Sequence, residues 1–155
     1  MKTETVPLMV VVHLQNGDLL KGFIHDGSGD SAFALKWGSG ILPTEGLRMQ
    51  TASGDIVDVD LEKTKAVFIV NSFEGRSDYT EIKFFQGTPG IAGLWVRVKF
   101  KDSEVTEGIV QNSLDFVNNP GFFMKPPDPQ SNNRRVYVLK KSLVDFKVLG
   151  IQSEI

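Results

Sequence analysis

The 155-residue chain carries 17 Lys/Arg against 19 Asp/Glu, a net charge of −2, and is 41% apolar and 23% charged. That balance excludes a disordered polar chain and a general nucleic-acid coat, and no apolar run approaches the roughly 20 residues of a membrane-spanning helix. Zero cysteines exclude disulfides, thiol chemistry and the usual structural zinc ligands.

The first residues, MKTETVP, lack the apolar core of a signal peptide, so a cytoplasmic protein is expected. Residues 8–15 read as a strand, with Val10, Val12 and Leu14 on one face. Asn16-Gly17 predicts a type I′ turn into a second strand over residues 18–26, bent at Gly22 where a side chain is missing. Residues 26–31, DGSGDS, form a loop by composition. Alternation resumes over residues 31–37, where Phe33, Leu35 and Trp37 share a face. Residues 47–50 predict a short strand, turned at Ala52-Ser53-Gly54 to pair with residues 55–60. LEKT at 61–64 suits one turn of 3₁₀ helix, and residues 65–70 alternate again with Val67 and Ile69 in phase. A connecting stretch follows, with a candidate strand at residues 79–85 and the breakers Gly87-Thr88-Pro89-Gly90.

The second half repeats this order. Val96, Val98 and Phe100 stand 86 positions after Val10, Val12 and Leu14, and Gly108 stands 86 after Gly22. FFMK at 122–125 stands 89 after FALK at 33–36. Val136 and Val138 stand 79 after Val57 and Val59, KKSL replaces LEKT, and Phe146 and Val148 stand 79 after Val67 and Ile69. Three matched blocks in one order predict an internal duplication. The predicted organisation is a first small β-barrel over residues 1–73, a linker over 74–91 and a second small β-barrel over 92–155. No segment holds a 3.6-residue period over ten positions, so no long helix is expected. A unit of roughly 60–65 residues buries a limited share of its surface, so the two should dock, with Trp95, Phe84 and Phe85 between them.

Strand, tight turn, bent strand, two strands, 3₁₀ turn and strand is the order of SH3-like small barrels. Residues 14–24, LQNGDLLKGFI, resemble the first motif of Sm-like proteins at Leu14, Asn16, Gly17, Leu20, Gly22 and Ile24. The second copy keeps Phe100, Gly108 and Val110, with Ser103 where glycine is expected. The resemblance implies an all-β fold of two tandem SH3/Sm-like barrels. Sm-like proteins grip RNA bases partly through an Arg-Gly turn between their last two strands. Here those turns are Leu61-Glu62-Lys63-Thr64 and Lys140-Lys141-Ser142-Leu143, and neither contains Arg-Gly. The stretches AVFIVNSFEG and GFFMKPPDPQSNNRRVYV are similar to a family of uncharacterised bacterial proteins, which implies a bacterial source. PilZ barrels need Asp-x-Ser-x-x-Gly, and Ser31 stands where that glycine belongs. Chemotaxis coupling proteins share a two-barrel plan, but no motif of theirs is matched.

The least ordinary stretch holds Asn132, Asn133, Arg134 and Arg135 behind Pro126, Pro127 and Pro129. A stiff loop with two guanidiniums and two amides can bind a phosphate or carboxylate through bidentate hydrogen bonds. The same composition also makes an ordinary connector. With Val136 and Val138 inward, Arg135 points outward, and both arginines reach one ligand only if the chain kinks at Arg134. His13 and His25 read as surface residues without metal-ligand spacing. Ser28, Ser31 and Ser39 have no nucleophile-elbow context, and GSGDS has neither the lysine nor the helix of a phosphate loop. Asp58 and Asp60 share a strand face, which suits a hard cation or a plain charged edge. No acid, base and nucleophile set converges and no cofactor is implied. The expectation is a non-enzymatic bacterial interaction or regulatory module whose partner is a protein or a second copy. Binding of single-stranded RNA or nucleotide through the barrel loops is the alternative, distinguished by a steep dependence on salt.

Overall fold

The computed structural model describes residues 8–24, 46–73, 82–87, 89, 92–128 and 133–152. Ten strands dominate them: β1 (Leu8–Leu14), β2 (Leu19–Ile24), β3 (Gly46–Thr51), β4 (Ile56–Asp60), β5 (Thr64–Val70), β6 (Gly93–Phe100), β7 (Val105–Val110), β8 (Gly121–Lys125), β9 (Asn133–Leu139) and β10 (Leu143–Gln152). Single 3₁₀ turns, Leu61–Lys63 and Lys140–Ser142, precede β5 and β10. The α-helix α1 (Leu114–Asn118) has five residues. Among the described residues no helix is long and apolar enough to cross a membrane.

All neighbouring strands are antiparallel and form one sheet in the order β10-β6-β7-β8-β9-β5-β1-β2-β3-β4. Each half contributes five adjacent strands, and β5 and β9 join them. The register of β5 on β1 (Val12↔Val67, Val10↔Ile69) has its counterpart in that of β10 on β6 (Val98↔Phe146, Val96↔Val148). Both ladders break at the start of the later strand, where Lys65 and Val144 are skipped. Gln15 N–H donates to Lys63 O, and Lys101 N–H to Ser142 O, each at 2.9 Å.

Three hairpins share one loop shape. Gly17 N–H donates to Leu14 O (3.0 Å) and Leu14 N–H to Asp18 O (2.9 Å), so three residues make the turn. This corrects the two-residue type I′ turn predicted from Asn16-Gly17, because Gly17 has a positive φ (95°) and Asn16 does not. The Asn16 side chain instead accepts from Asp18 N–H at 2.9 Å. Loops 52–54 and 101–103 close in the same way, with Gly54 (φ 99°) and Ser103 (φ 76°) in the third position.

Gly22 and Gly108 matter for space. A Cβ on Gly22 would lie 2.3 Å from Gln50 O and 2.7 Å from Met49 Cε; on Gly108 it would lie 2.1 Å from Met124 Cγ and 2.8 Å from Lys125 O. In both halves the next strand therefore crosses directly over the glycine. In the first half that strand is β3. The predicted strand at residues 31–37, and with it the match of FALK to FFMK, lies outside the described residues.

Two cores flank the middle of the sheet. One gathers Val10, Val12, Ile24, Met49, Val67 and Ile69 with Phe123, Tyr137 and Leu139 from the other half. The second gathers Val96, Val98, Phe100, Phe122, Met124 and Val138 with Ala66 from β5. Strands β5, β8 and β9 thus bury alternate residues on opposite faces, which is why AVFIV, FFM and VYVL are unbroken apolar runs. The halves are joined through these strands. The expected contacts of Phe84, Phe85 and Trp95 lie elsewhere: Phe84 is exposed, and Phe85 meets Trp95 edge-on (6.1 Å) beside β6 and β7. Residues 82–85 form no strand, and 79–81 lie outside the described residues.

Candidate functional site

The proline-stiffened corner is where β8 leaves the sheet and β9 enters it. The β5–β9 register runs Ile69↔Arg135 and then Val70↔Asn133, skipping Arg134, so the chain does kink there. The kink turns Asn133 into a cavity of about 50 Å³ beside Phe68, Pro126, Pro127 and Val136. Arg135 is half-buried opposite Ile69. Asn132 and the Arg134 side chain lie outside the described residues, so Asn133 and Arg135 are the members of the predicted set that can be placed. Lys125, missed in the sequence, belongs with them: burial and then the Arg135 charge push its ammonium below the usual lysine value. Its proximity follows from the pairing Met124↔Val136, a register that the sequence does not display. Asp128, between the prolines, is buried and accepts from Ile82 N–H at 3.2 Å. It ties the connecting segment down.

Two charged clusters stand out, one within the second half and one that bridges the halves. Glu107 is 2% exposed and accepts from Arg97 Nε (3.1 Å) and a second Arg97 nitrogen (2.7 Å), Trp95 Nε1 (3.0 Å) and Phe85 N–H (3.1 Å). Burial pushes its carboxyl up, but these bonds outweigh it and hold the group below the usual glutamate value. Glu107 N–H also donates to Lys83 O (2.8 Å), so the connecting segment covers the part of β7 beyond its pairing with β8. Lys65, at the β5 bulge, donates to Asp102 and Glu104 at 2.7 Å each and lies over the Phe100 ring (4.5 Å). Burial lowers its ammonium; the two hydrogen bonds more than compensate and leave it raised. His13, expected at the surface, is half-buried against Phe68 (4.2 Å), and burial followed by the Lys65 charge lowers its imidazole. His25 lies outside the described residues. Asp58 and Asp60 are used apart: Asp58 accepts from Arg48 (3.0 Å), and Asp60 accepts from Glu62 N–H (2.9 Å) to cap the first 3₁₀ turn. Lys141 of the second 3₁₀ turn pairs with Glu62 of the first.

Among the described residues the sheet ends in two strands, β4 and β10, that each pair with one other strand. They differ in chemistry. The outer surface beside β4 carries Arg48 and Asp58, each side chain 73% exposed, and charged edges of this kind resist pairing. On β10, Val144, Val148 and Ile151 are exposed, and a groove of about 300 Å³ runs along Phe122, Leu143, Val144 and Phe146.

The described chain is thus an antiparallel β protein with an internally joined sheet, charge clusters that fasten its connections, and an apolar sheet end. It belongs to a family of unknown function, DUF6982, whose model matches residues 6–150. No curated protein and no solved structure matches the chain.

Proposed function

We propose that the chain is a non-enzymatic bacterial, cytoplasmic interaction module, made by tandem duplication of one SH3/Sm-like small barrel, that engages protein partners by strand addition at an end of its sheet. The observation that carries this is the β5–β9 junction: the chain joins its own halves by laying one strand edge on another. The duplication is supported by the repeated strand order, the matching registers with a skipped residue at Lys65 and Val144, and the crowding of Gly22 and Gly108. Asn132, Asn133, Arg134 and Arg135, now with Lys125, remain a candidate contact for an acidic partner segment. The same cations support the second reading, single-stranded RNA or nucleotide.

Proline on an outward-facing position separates the two readings, because it removes a donor aimed off the sheet without touching the inner ladder. Thr51 N–H donates to Asp55 O, so alternation leaves the N–H of Asp58 facing away from β3. The corresponding argument from Phe100 N–H and Glu104 O leaves Val148 N–H facing away from β6. Association of the full chain, with itself or with a co-purified protein, is expected to be lost in Asp58→Pro or Val148→Pro. Oligouridylate should not bind at low salt. If both variants associate like the parent, or if oligouridylate binds with a steep salt slope that Lys125→Gln and Arg135→Gln reduce, strand addition gives way to nucleic-acid binding.

A further inference from the structure

Resting on that strand-addition reading, we propose that β10 pairs with β10 of a second copy, antiparallel and two-fold symmetric about Phe146. Residues 143–149 read Leu-Val-Asp-Phe-Lys-Val-Leu. Folded back on Phe146, the segment sets Val144 of one copy against Val148 of the other, Leu143 against Leu149, and Asp145 against Lys147. Every pair is therefore chemically matched, and each ion pair occurs twice. In an isologous contact the same patch must complement itself, and this segment does.

The backbone has the required phase. Phe100 N–H donates to Glu104 O, so alternate residues of β6 face β7, and Arg97 and Lys99 face β10. Their partners on β10 are Lys147 and Asp145, which leaves the N–H and C=O of Phe146 pointing off the sheet. In the single chain that N–H donates to the Asp145 carboxylate at 3.0 Å, and Lys147 lies 3.6 Å from the same carboxylate. On pairing, Asp145 exchanges these for Lys147 of the second copy, and two Phe146 residues opposite one another form a hydrogen-bonded pair on the axis. Breaks in register after Leu143 and after Val148 bound the regular part of β10 and leave the segment around Phe146 to pair.

The described surface is apolar enough to suit such a partner. Val144 is 58% exposed and Val148 51%, while Phe146 rests edge-on against Phe122 (5.6 Å) at the wall of the open groove. In the first half, Val67 and Ile69 occupy the places of Phe146 and Val148, and Phe123, Tyr137 and Leu139 cover them from across the junction. A second copy's Phe146 and valines supply apolar contact to the exposed Val144 and Val148 of β10. The other end of the sheet does not: a β4 laid on β10 in the register of the β5–β9 junction would set Asp58 against Phe146 and strip it of water.

The test is the mass of the full chain in solution by sedimentation and light scattering, from low to high micromolar concentration. The parent should sediment at twice its 17.2 kDa. Lys147→Asp sets like charges opposite one another at two places and should weaken the dimer about tenfold or more. Asp145→Lys should do the same, and the double variant Asp145→Lys/Lys147→Asp, with the charges exchanged, should dimerise like the parent. Restoration by the double variant excludes misfolding as the cause of the single losses. A monomer throughout, or a dimer indifferent to the single changes, overturns the β10 pairing. If the mass is instead lost in Asp58→Pro and kept in the charge variants, strand addition stands and the β10 dimer falls.

Discussion

Ser103 occupies the third loop position that Gly17 and Gly54 occupy in the other two hairpins, with a φ of 76° that side chains rarely adopt. The left-handed region costs a residue with a Cβ about 1–2 kcal/mol. Ser103→Gly should therefore raise the stability by about 1 kcal/mol, read as a higher urea midpoint at unchanged slope. Gly22 is the opposite case, since its backbone is ordinary and its surroundings are full. A valine there would drive its Cβ into Gln50 O, a backbone atom held in the β3 ladder. Gly22→Val should cost about 1–3 kcal/mol, checked by thermal melting, and a melt like the parent's would mean that β3 can move away.

At the scale of elements, hydrogen bonds to a few buried carboxylates decide where the connecting segments lie. Glu107 holds Phe85 N–H, the Trp95 indole and Arg97 together, so Glu107→Gln should release residues 82–87 from β7. The expected loss is about 1.5–3 kcal/mol, with faster amide exchange at Phe85 as the local readout. The charges also set a pH window. The Asp102, Glu104 and Glu107 carboxyls all lie below their usual values in the fold. Groups with lowered folded values stabilise fully above the unfolded value, about pH 4, and lose that contribution as pH falls below it and through the lower folded value. Stability should therefore decline on acidification below about pH 4, and Glu107→Gln should show a shallower decline than the parent.

The whole molecule is less divisible than the two matched halves of its sequence suggest. The first core contains Phe123, Tyr137 and Leu139, and β5 has β9 as its outer neighbour, so the first half lacks part of its interior without the second. Removing three large buried side chains together forfeits several kcal/mol, more than half of what a small domain holds in reserve. A chain ending at Phe73 should give no cooperative melt and should aggregate through the bared edge of β5. A sharp monomeric transition from that chain would mean that the first core closes without help.

Local patterning in the sequence specified the hairpin at residues 14–18, both 3₁₀ turns, the glycine pair and the alternation of β1, β4 and β6, because each depends on neighbours within a few positions. It also singled out the corner from Asn132 to Arg135 and made the joint reach of its arginines conditional on a kink at Arg134, which only the skipped pairing in β9 supplies. The unbroken apolar runs AVFIV, FFM and VYVL carried a signal too, since strands buried on both faces need no polar alternation. What they pack against was undetermined: pairing of β5 with β9 joins residues about 70 positions apart, and many registers satisfy the same pattern. The third position of a turn, the arrival of Lys125 beside Arg135 and the burial of Glu107 depend on that register. So does the identity of the two end strands. The Leu-Val-Asp-Phe-Lys-Val-Leu symmetry was present in the residues from the outset, yet only the tertiary structure made β10 an end strand of the described sheet, where such symmetry can act.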